Sequence, residues 1–202
     1  INGTMDEIHV ETTIPLVEAG YHVLLEKPIA PNSSELNLLD VAVTKAGVKV
    51  AICHVLRYAP FYNDIQQRIV EGEIGEIIHI HSTENVSYHH MAVAFVRGKW
   101  NKRAVNPIML AKCCHDLDLI CWFNSGIKPS KISSMGGRHF FTTKNAPDGA
   151  GENCFDCDIE RDCQYSAKRH YIDNDWWSFY ALAGEKNYEH GEETDSETLA
   201  PH

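Results

Sequence analysis

The sequence predicts an α/β fold, in which part of a doubly wound parallel sheet is followed by an α+β region with antiparallel strands. Two observations carry the first half. The apolar runs at Tyr21-His22-Val23-Leu24-Leu25 and Val48 to Val55 read as buried strands. Between them, Asn32-Ser33-Ser34-Glu35 supplies a helix cap before Leu36, Leu38, Leu39, Val41 and Val43, with Gly47 as the stop signal. Strands joined by a helical crossover of this length pair in parallel. A third observation carries the second half: after Pro60, apolar residues begin to alternate with polar ones, as on a half-exposed strand.

Taken in order, His9 to Ala19 reads as a helix with Pro15 near its middle and Gly20 at its end, and His22 to Glu26 is the first strand. The capped helix and the strand Val48 to Val55 follow. Pro60 to Glu71 is a helix stopped by Gly72 and Gly75, and Glu76 to Val86, with Ile78 and Ile80, is the alternating strand. Asn106 to Phe123 reads as one long helix, Lys131 to Thr143 as another strand, Lys144 to Asp162 as an irregular loop and Gln164 to Tyr171 as a short helix. The division that results is 1–58, 59–184 and an acidic segment at 185–202 that is poor in apolar residues and suited to disorder. Ile1 is not an initiator methionine, and the first helix–strand unit needs earlier strands beside it. The chain is therefore expected to be an internal piece of a longer protein.

A hydrophobic content of 44% over 202 residues allows a real core. The 28 acidic and 18 basic residues leave a net charge of −10, which argues against a nucleic-acid partner. No run approaches the length of a membrane span and no secretory signal opens the chain, so a cytoplasmic protein is expected. Cys53, Cys113, Cys114 and Cys121 sit in apolar runs as small core residues. Cys154, Cys157 and Cys163 crowd a polar loop, with spacing that suits a structural zinc site completed by His139 or His170. Free thiols or a disulfide are the alternatives.

The chemistry concentrates at two places. Glu26-Lys27-Pro28 puts a lysine at the carboxyl end of a strand, the edge where open α/β sheets bind ligands. The second place is the helix carrying Lys112 and His115, which at three residues apart share one face, with Asp118 toward its margin as a structural partner. Lys27 and His115 together suggest proton transfer, with Lys112 as a possible donor to substrate. Burial and nearby positive charge would help Lys27 release a proton near neutral pH. Tyr88, His89, His90, Phe95, Arg97, Trp100 and Asn101 combine aromatic faces with donors, as a sugar ring requires. His90 and Arg97 are the substrate candidates there, and Arg57 either lines a pocket or braces a junction.

Five segments resemble the glucose-fructose oxidoreductase and inositol dehydrogenase (Gfo/Idh/MocA) family. They are Thr4-Met5-Asp6 with His9, Gly20 through Pro28, Arg57-Tyr58-Ala59-Pro60, Gly72-Glu73-Ile74-Gly75 and His115-Asp116-Leu117-Asp118-Leu119. The resemblance runs from Ile1 to about Tyr171. It implies a Rossmann-type dinucleotide-binding domain followed by a domain whose mainly antiparallel open sheet shapes a sugar pocket and mediates homo-oligomerisation.

It further implies NAD or NADP as cofactor, with Thr4, His9, Glu26, Lys27 and Pro28 on the nicotinamide side. The Gly-rich phosphate loop is expected upstream of Ile1, because Gly149-Ala150-Gly151 lies in a loop and fails the motif. Many relatives carry an aspartate four residues before the histidine, where this chain has Ala111 beside Lys112. The implied activity is hydride transfer at a sugar or cyclitol hydroxyl, with Lys27 as acid/base and His115 assisting. Two alternatives stay open: a redox-assisted glycosidase, and a noncatalytic sugar-binding or zinc-stabilised module.

Overall fold

Strands β1 (Val23–Leu25) and β2 (Val50–Ile52) pair in parallel, with Val23 opposite Val50 and Leu25 opposite Ile52. Asn2 bridges the other side of β1, accepting from the Glu26 amide at 2.9 Å and donating to the Leu24 carbonyl at 2.8 Å. The spatial order is thus Asn2, β1, β2. The computed structural model describes residues 1–97, 100–101 and 107–173. They form two compact units, one within 1–85 and 107–133 and the other within 86–101 and 134–173.

In the first unit, helices α1 (His9–Glu18) and α2 (Ser33–Ala46) pack on the strand pair. Val10 and Val17 of α1 and Leu39 of α2 meet Val23 and Leu25 of β1 in one buried cluster, with Ala30 at its edge. Alternation along β1 turns Leu24 to the opposite, more exposed face. Local chemistry sets the helix ends. Gly20, at φ 87°, closes α1 with Gly20 N–H to Val17 and Tyr21 N–H to Leu16, a Schellman pair that satisfies carbonyls the helix leaves open. The side chain of Asn32 caps α2 by accepting from the Glu35 amide at 3.0 Å, and Gly47 ends it in the left-handed region.

Beyond β2 a 3-10 turn at Val55–Tyr58 leads to α3 (Pro60–Val70), which begins with proline at its first position, where no amide hydrogen is needed. The long helix expected from Asn106 to Phe123 is two helices: α5 (Ile108–Ala111) and α6 (Cys113–Phe123), broken at Lys112. Asn106 itself lies outside the described residues.

The second unit contains α4 (Tyr88–Met91), a π-helical turn at Ala92–Arg97, 3-10 turns at Thr143–Asn145 and Glu160–Asp162, and a π-helical turn at Arg169–Asp173. The last of these begins within the short helix expected at Gln164 to Tyr171 and runs two residues past its end. Its centre is aromatic: Tyr88 meets Tyr165 and His170, and Tyr165 meets Phe141. Buried Ser166 donates to Glu160 and accepts from the Arg169 amide, which ties the loop to the turn.

Two expectations are corrected. Glu76 to Val86 and Lys131 to Thr143 form no ladder, and β1 and β2 make the one sheet among the described residues. The expected antiparallel open sheet is therefore not formed by them. Alternating polarity records a chain with one wet face, but a strand also needs a neighbour to take its amides and carbonyls. Residues 76–87 find none and are largely exposed coil. The acidic segment 185–202 lies outside the described residues.

Candidate functional site

Lys27 lies two residues after β1, at the carboxyl edge of the parallel pair, and its peptide bond to Pro28 is cis. Its ammonium donates to the Ala111 carbonyl at 3.0 Å. The helix break makes this bond available. In an unbroken helix the Ala111 carbonyl would take the His115 amide, but that amide turns to Lys112 at 3.2 Å instead. One loop lysine and one orphan carbonyl thus satisfy each other. The break also revises the expected single face for Lys112 and His115, because Lys112 occupies the joint between the helices.

The neighbourhood of Lys27 is densely charged. Burial lowers the pKa of half-buried Lys112, the Lys27 charge lowers it further, and Glu84 opposes both. His115 is likewise held below the ordinary histidine range, first by burial and then by Lys27 and His54, so its neutral form is favoured. The Nδ1 atom of His115 is buried with no hydrogen-bond partner among the described residues. Burial and then Glu26 raise the Cys53 thiol at the end of β2.

Behind this group, Asp118 is gripped from two sides. Arg57 donates Nε to Oδ2 and Nη2 to Oδ1, both at 2.6 Å, and His54 Nδ1 lies 3.0 Å from Oδ1. Burial works to raise the Asp118 pKa, but the Arg57 hydrogen bonds and the His54 and Arg57 charges prevail and hold it below the usual carboxylate range. The Arg57 guanidinium also lies 5.5 Å from the Trp122 ring centre. Arg57 therefore braces α6 to the turn after β2.

The remaining candidates are placed differently. His9 is fully buried, with Nδ1 2.8 Å from the Pro28 carbonyl and Nε2 3.0 Å from the Thr4 carbonyl, so it ties together the two loops that border the edge. The Thr4 hydroxyl donates to Asn2 Oδ1 at 2.9 Å, and Asn2 Nδ2 reaches Thr12 and Thr13 at 2.8 Å each. Glu26 turns its carboxylate back to the Lys27 amide at 3.1 Å. His90 lies on α4 of the second unit. Arg97 ends the π-helical turn, and its side chain lies outside the described residues.

The zinc expectation is corrected. Among the described residues no three His, Cys, Asp or Glu side chains are arranged to hold a metal. The sulfurs instead accept different backbone amides, Cys154 from Ala167 and Cys157 from Gly151, both at 3.3 Å. His170 Nε2 is engaged by the Gln164 carbonyl at 2.7 Å, and His139 is exposed. Short spacing brings thiols near one another, but only loop winding can aim them at one point.

His54 is the residue sequence reasoning missed. It ends the strand run at the same carboxyl edge as Lys27, and that edge rule is the signal that could have found it.

Residues 2–54 match the model of the Gfo/Idh/MocA oxidoreductase family, NAD-binding Rossmann fold. The chain is 24% identical over 169 residues to a putative oxidoreductase, YteT, of Bacillus subtilis, a match covering 82% of this chain and 39% of that protein. It is 39% identical over 75 residues to 1,5-anhydro-D-fructose reductase of Ensifer adhaerens, covering 37% of this chain and 22% of the reductase. It is 29% identical over 100 residues to scyllo-inositol 2-dehydrogenase (NADP(+)) IolW of Bacillus subtilis, covering 50% and 26%. The chain thus spans about two fifths or less of the length of these relatives. Residues 2–54 are thus similar to the NAD-binding segment of the Gfo/Idh/MocA oxidoreductase family, and the α/β segment they form is of the Rossmann type.

Proposed function

We propose that the protein carrying this chain is an NAD(P)-dependent oxidoreductase acting on a hydroxyl of a sugar or cyclitol, with Lys27 as the acid/base and His115 assisting. One observation carries the reading: the Lys27 ammonium is bound at a helix break one turn from an imidazole whose buried Nδ1 has no hydrogen-bond partner among the described residues, at the carboxyl edge of a parallel strand pair. That edge also fits the cofactor chemically. Thr4, Glu26 and Pro28 border it, with the Thr4 and Pro28 carbonyls held by His9 and the Glu26 amide by Asn2, and the buried His115 Nδ1 is the polar atom left to be satisfied. A nicotinamide, when bound, accepts or returns the hydride.

The chain's own residues handle the proton. In oxidation, neutral Lys27 takes the hydroxyl proton as the carbinol carbon gives up its hydride, leaving a carbonyl and an ammonium. In reduction the ammonium returns that proton to the carbonyl oxygen. The Ala111 carbonyl holds the amine in place between turnovers. His115, neutral near pH 7, donates to or orients the reacting oxygen, and Lys112 offers a further donor to substrate.

Around this site, residues 1–58 form the end of a dinucleotide-binding domain and 59–184 a substrate domain, in a cytoplasmic homo-oligomer. The proposed specificity toward sugars or cyclitols draws on the similarity to the reductase and the inositol dehydrogenase. No helix among the described residues is long and apolar enough to cross a membrane.

The test is a screen of aldoses, uronates and inositols with NAD⁺ and NADP⁺, using the full-length protein and following reduced nicotinamide. Turnover of at least one polyol, lost in Lys27→Ala, is expected. Turnover undiminished in Lys27→Ala, or none with any polyol or its carbonyl counterpart, overturns the proposal.

A further inference from the structure

The geometry behind His115 differs from the arrangement that usually orients a working imidazole. Such a ring is normally aimed by a hydrogen bond at its second nitrogen, often to a carboxylate or backbone carbonyl. Here the Nδ1 of His115 is buried without a partner among the described residues. What touches the ring is His54, edge-on, with centroids 5.9 Å apart and planes at 73°.

His54 is itself held rigidly. Asp118 is ionised and can only accept, so His54 Nδ1, 3.0 Å away, carries the hydrogen. Arg57 occupies both carboxylate oxygens from another direction and keeps Asp118 from rotating away. Asp118 is 11% exposed and His54 20%, so little solvent competes for this bond. The clamp joins the turn after β2 to α6, the helix that carries His115.

We infer that His54, locked by the Asp118–Arg57 pair, is a positioning residue that sets the orientation of His115 by ring packing where a hydrogen bond would otherwise do so. This rests on the proposed function for its catalytic consequence but not for its structural content. Lys27 at the end of β1, His54 at the end of β2, and Asp116 and Asp118 on α6 are the charged or titratable groups acting on His115. Removing the His54 ring leaves Asp116 and Asp118 less opposed, so the His115 titration moves upward.

The test compares His54→Asn, whose amide can still donate to Asp118 but which presents no ring edge to His115, with the unmodified full-length protein. Expected are a kcat lowered about ten- to hundredfold, the scale of a misplaced catalytic group, with KM for the nicotinamide within about twofold. The same substitution in a His115→Ala background should have no further effect on kcat, because His54 acts through His115. Histidine-resolved NMR should show His115 titrating at higher pH in His54→Asn. An unchanged kcat, an equal loss in the His115→Ala background, or an unmoved His115 titration overturns the inference. If no polyol is turned over, the proposed function fails while the NMR titration still decides this one. If His54→Asn does not fold, as judged by amide dispersion, Asp118→Asn loosens the clamp without removing the ring; kcat should fall while the His115 titration moves downward with the lost carboxylate, and an unchanged kcat or titration overturns the inference.

Discussion

The carboxyl edge of the β1–β2 pair and the cysteine loop around Cys154 are both rich in reactive side chains, and they hold them in opposite ways. At the edge, Lys27, His54 and Asp118 each have partners between 2.6 and 3.0 Å, supplied by α5, α6 and the segment after β2. In the loop, Cys154 and Cys157 accept backbone amides at 3.3 Å beside an open cleft of about 230 Å³ that Asp158, Glu160, Arg161 and Lys168 also line. The difference teaches that chemistry follows convergence: groups carried just beyond strand ends and on a facing helix share a focus, whereas groups wound on a long loop share only a neighbourhood.

The largest test of that contrast is Lys27→Arg. Arginine keeps the positive charge and can still reach the Ala111 carbonyl, but it does not give up its proton. Turnover should fall on the order of 10²- to 10⁴-fold, as in Lys27→Ala, in steady-state kinetics of the full-length protein. Retained turnover would reduce Lys27 to an electrostatic role.

Next comes Asp118→Ala, which strands the partly buried Arg57 and His54. Charged hydrogen bonds contribute up to about 3 kcal/mol, and the 38% exposure of Arg57 discounts that toward about 2 kcal/mol in urea unfolding. The acid dependence has a definite sign. The folded carboxyl holds its proton less tightly than the unfolded one, so its contribution is whole above about pH 4 and is lost as pH falls through the folded value. In Asp118→Ala that acid-sensitive component should be missing from the stability curve.

Asn32→Ala removes the cap on α2 and should cost about 1 kcal/mol in the same measurement, without altering cofactor affinity. The smallest effect belongs to the loop. A chelator should leave the melting temperature unchanged, and Cys157→Ser should alter stability by no more than about 0.5 kcal/mol. A large destabilisation by chelator would show that the loop does focus its thiols on a metal, and would erase the comparison.

The amino-acid order by itself determined the parts governed by near neighbours. Asn32 and Glu35, Gly20, Gly47 and the apolar spacing of α2 act within a turn or two, so the β-α-β unit and its helix ends were legible. The position of Lys27 at the carboxyl edge was legible too, because a strand followed by a polar residue is a local pattern. Tertiary structure alone decided the rest. The break at Lys112 goes with a carbonyl that bonds Lys27 from 84 residues away, and no helical periodicity encodes that competition. The clamp of His54 and Arg57 on Asp118 closes across 61 residues for the arginine. Strand pairing at 76–86 and 131–143 and metal geometry at Cys154, Cys157 and Cys163 depend on partners distant in the chain or on the path of a loop. Composition reports what a segment could bind, while only the folded backbone aims it.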